Sequence, residues 1–65
     1  MIAIPTDQYD KDGNMLGIEF NDENGEFIIF AEWDETDEQT SEKRIAFREW
    51  AYKFLKNNFK YEVKR

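Results

Sequence analysis

The sequence contains no cysteine and no histidine among its 65 residues. Their absence excludes disulfide bonds and zinc sites of the Cys/His kind, and it suits a reducing compartment, so we expect a cytoplasmic protein. The sequence also lacks most of the residues that common nucleophilic catalysis uses, since it has neither cysteine nor histidine and Ser41 is its only serine. No pattern of carboxylates predicts a buried acid–base pair. We therefore expect a protein that is not an enzyme and that needs no cofactor or metal.

Length and hydropathy describe one small domain, 1–65, without a membrane span. No apolar run approaches the ~18 residues of a transmembrane helix, and no basic segment precedes a shorter apolar run as in a signal peptide. A chain of this length buries only about 60% of the surface that its unfolded form exposes. The core then depends on six Phe, three Tyr and two Trp, since each large ring buries roughly 150–250 Å².

One long helical pattern occupies residues 40–58. Its apolar residues recur at three- and four-residue steps, which aligns side chains on one helix face. These residues are Ala46, Phe47, Trp50, Ala51, Phe54 and Leu55. A second apolar set borders the first and consists of Ile45, Tyr52 and Phe59. We predict that the first set faces the core, so that Trp50→Ala nearly unfolds the domain.

The ends of this helix carry their own signals. Thr40 is a good N-cap, with Thr36 or Asp37 as alternatives, because a side-chain oxygen there can accept a backbone N–H of the first turn. Asn57-Asn58 can end the helix, since asparagine tolerates the left-handed conformation.

Ahead of the helix, an acidic turn closed by glycine occurs twice, twelve residues apart, at 10–13 (DKDG) and 22–25 (DENG). Alternating apolar residues around the turns place strands near 2–9, 15–21 and 26–33. This order is typical of an antiparallel β-meander.

The third predicted strand is apolar on both faces. Its alternation places Phe27, Ile29, Ala31 and Trp33 on one face and Ile28 and Phe30 on the other. Such a strand is either central and covered twice, or it has an exposed apolar side.

The predicted fold is α+β: a three-stranded antiparallel β-meander followed by one long helix packed on the sheet. A short C-terminal strand is added by residues 59–64, which alternate apolar and charged side chains; an extension of the helix is the alternative. The predicted core consists of Ile18, Phe20, Phe27, Ile29, Ala31, Phe47, Trp50, Phe54 and Leu55.

The first acidic turn is similar to a calcium-binding loop. Counted from Gln8, the twelve-residue EF-hand frame puts Asp10, Asp12 and Glu19 at ligand positions. However, Gln8 stands where the pattern needs aspartate, and only seven residues, one of them Pro5, precede it. We therefore predict a hairpin turn and no specific calcium site.

Charge is divided unevenly along the chain. Residues 1–42 carry thirteen acids and one base, a net charge of −12, whereas 43–65 carry eight bases and two acids, a net charge of +6. The acids are densest between the third strand and the helix. We call Glu32, Asp34, Glu35, Asp37 and Glu38 the acidic segment. One interpretation is a solvated linker that complements the positive end of the helix dipole.

The acidic segment also predicts a function. It can steer the protein toward a protein partner with a basic surface, with Phe30 or Trp33 as an apolar anchor. We therefore expect a non-catalytic binding module, a small acidic regulator or inhibitor of the kind that phages and mobile elements encode against host proteins. It could act as a nucleic-acid mimic, because a strip of carboxylates imitates phosphate charge.

Two alternatives remain open. The bases of the helix and C-terminal tail could contact nucleic acid, and a meander followed by a helix resembles in outline the arm-type DNA-binding domains of phage integrases. Those domains carry bases on the sheet, where this chain has acids, and the net charge here is −6, so we do not expect nucleic acid as the partner. The other alternative is a homodimer built through the third strand.

Overall fold

The computed structural model describes residues 1–36 and 38–64. Five elements follow one another along the chain: β1 (Ile2–Tyr9), β2 (Met15–Asn21), β3 (Phe27–Glu32), α1 (Ser41–Phe59) and β4 (Glu62–Val63). The strands form one sheet in the order β3-β2-β1-β4, in which β1, β2 and β3 are antiparallel neighbours and β4 runs parallel to β1. The α+β prediction is confirmed, including the short fourth strand.

The two acidic turns are built in the same way. In the first turn the N–H of Asp10 donates to the carbonyl of Asn14 at 2.9 Å, and Gly13 adopts a φ of 83°. In the second turn Asp22 and Glu26 make the matching bond at 2.8 Å, with a φ of 84° at the closing glycine. Positive φ favours glycine at both closing positions. The predicted meander therefore follows from two copies of one local motif.

Helix α1 begins where the sequence predicts and ends slightly later. The Thr40 hydroxyl accepts the N–H of Lys43 at 3.2 Å, which confirms Thr40 as the N-cap. The helix continues past Asn57-Asn58, so the predicted end was early. Lys60 takes the left-handed conformation instead, and its N–H donates to the carbonyl of Leu55.

The core lies between one face of the sheet and helix α1. Its buried members are Ala3, Ile18 and Phe20 from the sheet and Ala51, Tyr52 and Leu55 from the helix. The rings of Phe20 and Tyr52 meet edge to face, with centroids 6.0 Å apart. Val63 of β4 packs against the same cluster, so the C-terminal strand closes the core on the β1 side.

The predicted orientation of the helix was wrong. Trp50 is 55% exposed and Phe54 is also exposed, while Tyr52 of the second apolar set is buried. The stripe that faces the core contains Ala51, Tyr52 and Leu55, so it lies closer to Tyr52 than the sequence predicts. An ion pair supports this orientation, because Arg48 Nη2 lies 2.7 Å from Asp7 Oδ2 of β1.

The predicted burial of Phe27 was also wrong, since its side chain is 63% exposed. The register of the β2–β3 pair shifts there: Phe20 pairs with Ile29, but Asn21 pairs with Phe27, which leaves Ile28 as an extra residue. Such a bulge interrupts the alternation of side chains. Ile28 packs against the core cluster as a result, and Phe27 points away from it.

Candidate functional site

Strand β3 lies at one edge of the sheet. The N–H of Trp33 donates to the carbonyl of Leu16 at 3.0 Å, one step beyond the pairing of Glu32 with Gly17. Bonding alternates along an antiparallel strand, so the backbone groups of Phe30 and Glu32 point away from the sheet. Among the described residues, no strand pairs with this outer side. The strand with apolar residues on both faces is therefore an edge strand.

A continuous line of aromatic rings runs from the end of β3 along one flank of α1. Neighbouring centroids are 5.0 Å apart for Trp33–Phe47, 6.0 Å for Phe47–Trp50, 5.6 Å for Trp50–Phe54 and 5.8 Å for Phe54–Phe59. We call these five residues the aromatic row. The row starts at the residue after β3, so it marks the flank of the helix that lies toward the open edge.

Most of the aromatic row faces solvent. Trp50, Phe54 and Phe59 are exposed, whereas Trp33 is only 5% exposed. The prediction that Trp33 serves as a surface anchor therefore does not fit the fold. Trp50 occupies that place instead. Large exposed aromatic surface is uncommon in a small monomeric protein and marks contact sites.

Two open cavities lie on either side of the end of β3. The sheet cavity, on the face away from the helix, has a volume of about 660 Å³, and its walls include Asp10, Leu16, Phe30, Glu32, Trp33 and Glu35. The helix cavity has a volume of about 420 Å³, and its walls include Glu32, Trp33, Asp34, Lys43, Phe47 and Trp50. Glu32 and Trp33 belong to both cavities, so this end of β3 separates them.

The acidic segment is divided between these cavities. Glu35 lines the sheet cavity, Asp34 lines the helix cavity and Glu32 lines both. Glu38 is exposed but is not part of either wall, and Asp37 lies outside the described residues.

Phe30, the other predicted anchor, covers Gly17 on the open face of the sheet. A Cβ on Gly17 would lie 2.6 Å from Phe30 Cζ. The ring therefore rests directly on the backbone of β2, and it remains partly exposed above the sheet cavity. Its role as an apolar anchor stays a prediction.

Asp10 joins the acidic segment only through the fold. The first turn brings Asp10 to the wall of the sheet cavity, which Glu32 and Glu35 also line, although Asp10 is more than twenty residues away in sequence. The Gln39 side chain helps to hold this arrangement, since it accepts the N–H of Met15 at 2.7 Å and donates to the Met15 carbonyl at 2.9 Å. No sequence signal indicates this pairing between a side chain and a strand backbone.

Two of these acids are held in their charged form. The backbone N–H of Asn14 is the main cause that lowers the pKa of Asp10 from its ordinary value of 3.8. The backbone N–H of Thr36, followed by its hydroxyl, lowers the pKa of Asp34 in the same way. Both carboxylates therefore stay ionised throughout the neutral and mildly acidic range, and the site remains negative there.

Within residues 1–36 and 38–64, no three carboxylates converge on a position that could hold a metal ion, and the Asp10 carboxylate already accepts the N–H groups of Asp12 and Asn14. Over the same residues, no helix is both long and apolar enough to cross a membrane. Known protein families, curated protein sequences and solved structures provide no match to this chain.

Proposed function

We propose that the protein is a non-catalytic module that binds a protein partner with a basic surface. The observation that carries this proposal is the juxtaposition of exposed Trp50 with Glu32 and Asp34 in the helix cavity. Interfaces gain most of their energy from a few desolvated aromatic side chains, and surrounding charges guide association. Trp50 supplies the first contribution, and the acids supply the second.

More specifically, we propose that the protein acts as a small regulator or inhibitor of this partner. Asp10, Glu32 and Glu35 gather in the sheet cavity, and Asp34 extends the negative surface around the end of β3. A basic groove that binds nucleic acid would be attracted by the same charges. The module would then act by competing with nucleic acid for that groove.

A quantitative capture experiment tests the binding role. Immobilised parent, Trp50→Ala and Ile45→Ala are compared for the proteins that they retain from cell extract. Ile45 is the matched control, because it is 58% exposed on a different side of the same helix. We expect proteins that bind the parent and Ile45→Ala but are lost with Trp50→Ala. Equal retention by all three folded proteins would contradict the proposal.

The electrostatic part is tested on a partner identified in that way. Asp34→Lys and Glu35→Lys together should slow association and reduce its dependence on salt, because both charges line the cavities. Labelled DNA added to the complex separates the finer proposal from the general one. Displacement of the module by DNA supports competition for a groove, whereas tight binding of DNA by the module itself favours the nucleic-acid alternative.

A further inference from the structure

We propose that the outer edge of β3 binds an extended, basic peptide segment of the partner, which adds to the sheet as a fifth strand. This inference rests on the proposed function and specifies how the partner is held. An exposed strand edge offers unpaired backbone groups to another chain, a recurring mode of peptide recognition.

The edge lacks most of the features that usually protect such a strand. β3 has six residues, FIIFAE, with neither proline nor lysine. The backbone groups of Phe30 and Glu32 point outward along it, as the Trp33–Leu16 hydrogen bond and the register establish. The only irregularity is the bulge at Ile28, near the start of the strand. The part from Ile29 to Glu32 is therefore a regular surface for pairing.

The two cavities fit the side chains of an added strand. Successive side chains of a strand point to opposite faces of the sheet, and a new strand would lie about 4.8 Å outside β3. The sheet cavity and the helix cavity lie on these two faces at the same end of β3. One set of alternate side chains would meet Phe30 and Leu16, and the other set would meet Trp50 and Phe47.

The charge of the cavity walls indicates which kind of peptide would bind at the β3 edge. Asp10, Glu32, Asp34 and Glu35 line the cavities, and Lys43 is the only base in their walls among the described residues. A peptide with lysine or arginine at the end beside Glu32 is complementary to this surface.

A second copy of the chain fits less well. An antiparallel pair of β3 strands would bring Glu32 of each copy beside the Glu26–Phe27 end of the other, and Glu26 is also exposed and negative. Like charges that lie close across strands destabilise pairing. The basic peptide is therefore the occupant that the structure favours.

The test uses a displayed library of random peptides of about eight residues, enough to span the six residues of β3. Selection is made against the parent protein. We expect enriched peptides to alternate apolar side chains and to carry lysine or arginine at one end. Their binding should weaken with Trp50→Ala and with glutamate in place of the basic residues, and it should be unchanged with Ile45→Ala.

Backbone pairing is tested with two N-methylated forms of an enriched peptide. Both carry the same number of methyl groups, but the methylated positions are displaced by one residue. Only one form loses the N–H groups that face β3, so it should bind at least about tenfold more weakly, while the other should bind like the unmodified peptide.

Equal affinity of the two methylated forms would overturn the proposal, and so would a failure of any peptide to enrich. A parent protein that sediments as a dimer, with the amides of Phe30 and Glu32 protected from exchange, would also overturn it by making a second copy the occupant. The proposed function is tested separately from the strand pairing. If Trp50-dependent capture retains a protein but no peptide is enriched, the binding role is kept and only the strand pairing is overturned.

Discussion

The two edges of the sheet differ in how well they are protected from pairing with another chain. At one edge β4 has only two residues, lies between Lys60 and Lys64, and packs Val63 into the core. At the other edge β3 has six residues without a lysine, and the exposed part of the aromatic row lies on the same side. Short strands and lysines discourage pairing with other chains. The first edge is therefore protected where β4 covers Ile2 and Ala3 of β1, whereas the β3 edge is left open.

The same difference divides the helix. Tyr52 and Leu55 are buried against the sheet, and the carbonyl of Leu55 accepts the N–H of Tyr61 at 3.4 Å as the chain turns into β4. Trp50 and Phe54 belong to the other flank and stay exposed. One flank of the helix thus stabilises the fold, and the other provides exposed aromatic surface. Substitutions on the two sides should consequently affect different properties.

The largest effect on stability is expected from Leu55→Ala, because Leu55 is fully buried in the core cluster. Removing a buried leucine side chain costs about 2–5 kcal/mol of unfolding free energy. That loss is a large part of the total stability of a small domain. Urea denaturation followed by circular dichroism measures it. A variant as stable as the parent would mean that the helix does not bury this face.

A smaller loss is expected from Gly17→Ala, where the new methyl group would collide with Phe30 and with the carbonyl oxygen of Ala31. Overpacking of this kind costs typically about 1–3 kcal/mol. The ring of Phe30 must move off β2, so peptide binding at the β3 edge should weaken as well. Thermal melting measures the first effect and peptide titration the second. Unchanged melting would show that Phe30 does not rest on Gly17.

The ion pair between Asp7 and Arg48 should contribute about 1 kcal/mol or less, because both side chains are roughly one-third exposed, at 29% and 32%. A double-mutant cycle with Asp7→Asn and Arg48→Met isolates this coupling from the separate effects of each substitution. The coupling should decrease as salt is added. A cycle without any coupling would remove the ion pair as a cause of the helix orientation.

Acidification should affect the first turn on the open side. The pKa of Asp10 is lowered in the folded protein, chiefly by the N–H of Asn14, so its carboxylate favours the folded state above the ordinary pKa of 3.8 and loses that effect as pH falls below it. Asp10→Asn should therefore lower the melting temperature at neutral pH, and the difference from the parent should shrink in strong acid. A difference that is independent of pH would exclude the charge of Asp10 as the cause.

The smallest effect on stability is expected from Trp50→Ala, despite the size of the side chain. Trp50 is more than half exposed, at 55%, and the higher helix propensity of alanine offsets part of the lost contact with Phe47 and Phe54, so the net change should be about 1 kcal/mol or less, similar to Ile45→Ala. Denaturation curves of the two variants should nearly coincide. Unfolding of Trp50→Ala but not of Ile45→Ala would mean that Trp50 lies in the core.

The local structure was largely predictable from the sequence. The glycine-closed turns, the strand bounds and Thr40 depend on residues that are close together in the chain. The helix orientation depends on the Asp7–Arg48 ion pair and on which apolar stripe of the helix packs against the sheet. Both involve contacts between segments that are distant in the sequence. Two apolar stripes compete on the helix, and periodicity alone does not choose between them.

The candidate site was only partly predictable for the same reason. The apolar character of β3 on both faces indicated an exposed apolar side as one of two interpretations. Its place at the edge depended on where β4 pairs, which is beside β1. Asp10 and Trp50 joined the site through the first turn and through the rotation of the helix. Trp33 lines both cavities but is only 5% exposed, and its ring packs against Phe47, which the sequence alone does not indicate.

The most direct test of the exposed aromatic row compares its two tryptophans, Trp33 and Trp50, by acrylamide quenching. Trp33→Phe leaves only Trp50 as a reporter, and Trp50→Phe leaves only Trp33. The exposed fractions of 55% and 5% predict that Trp50 is quenched several-fold more efficiently than Trp33 in the folded protein, with the difference lost in urea. Equal quenching of the two folded variants, or stronger quenching of Trp33, would contradict the exposed aromatic row on which the binding surface depends.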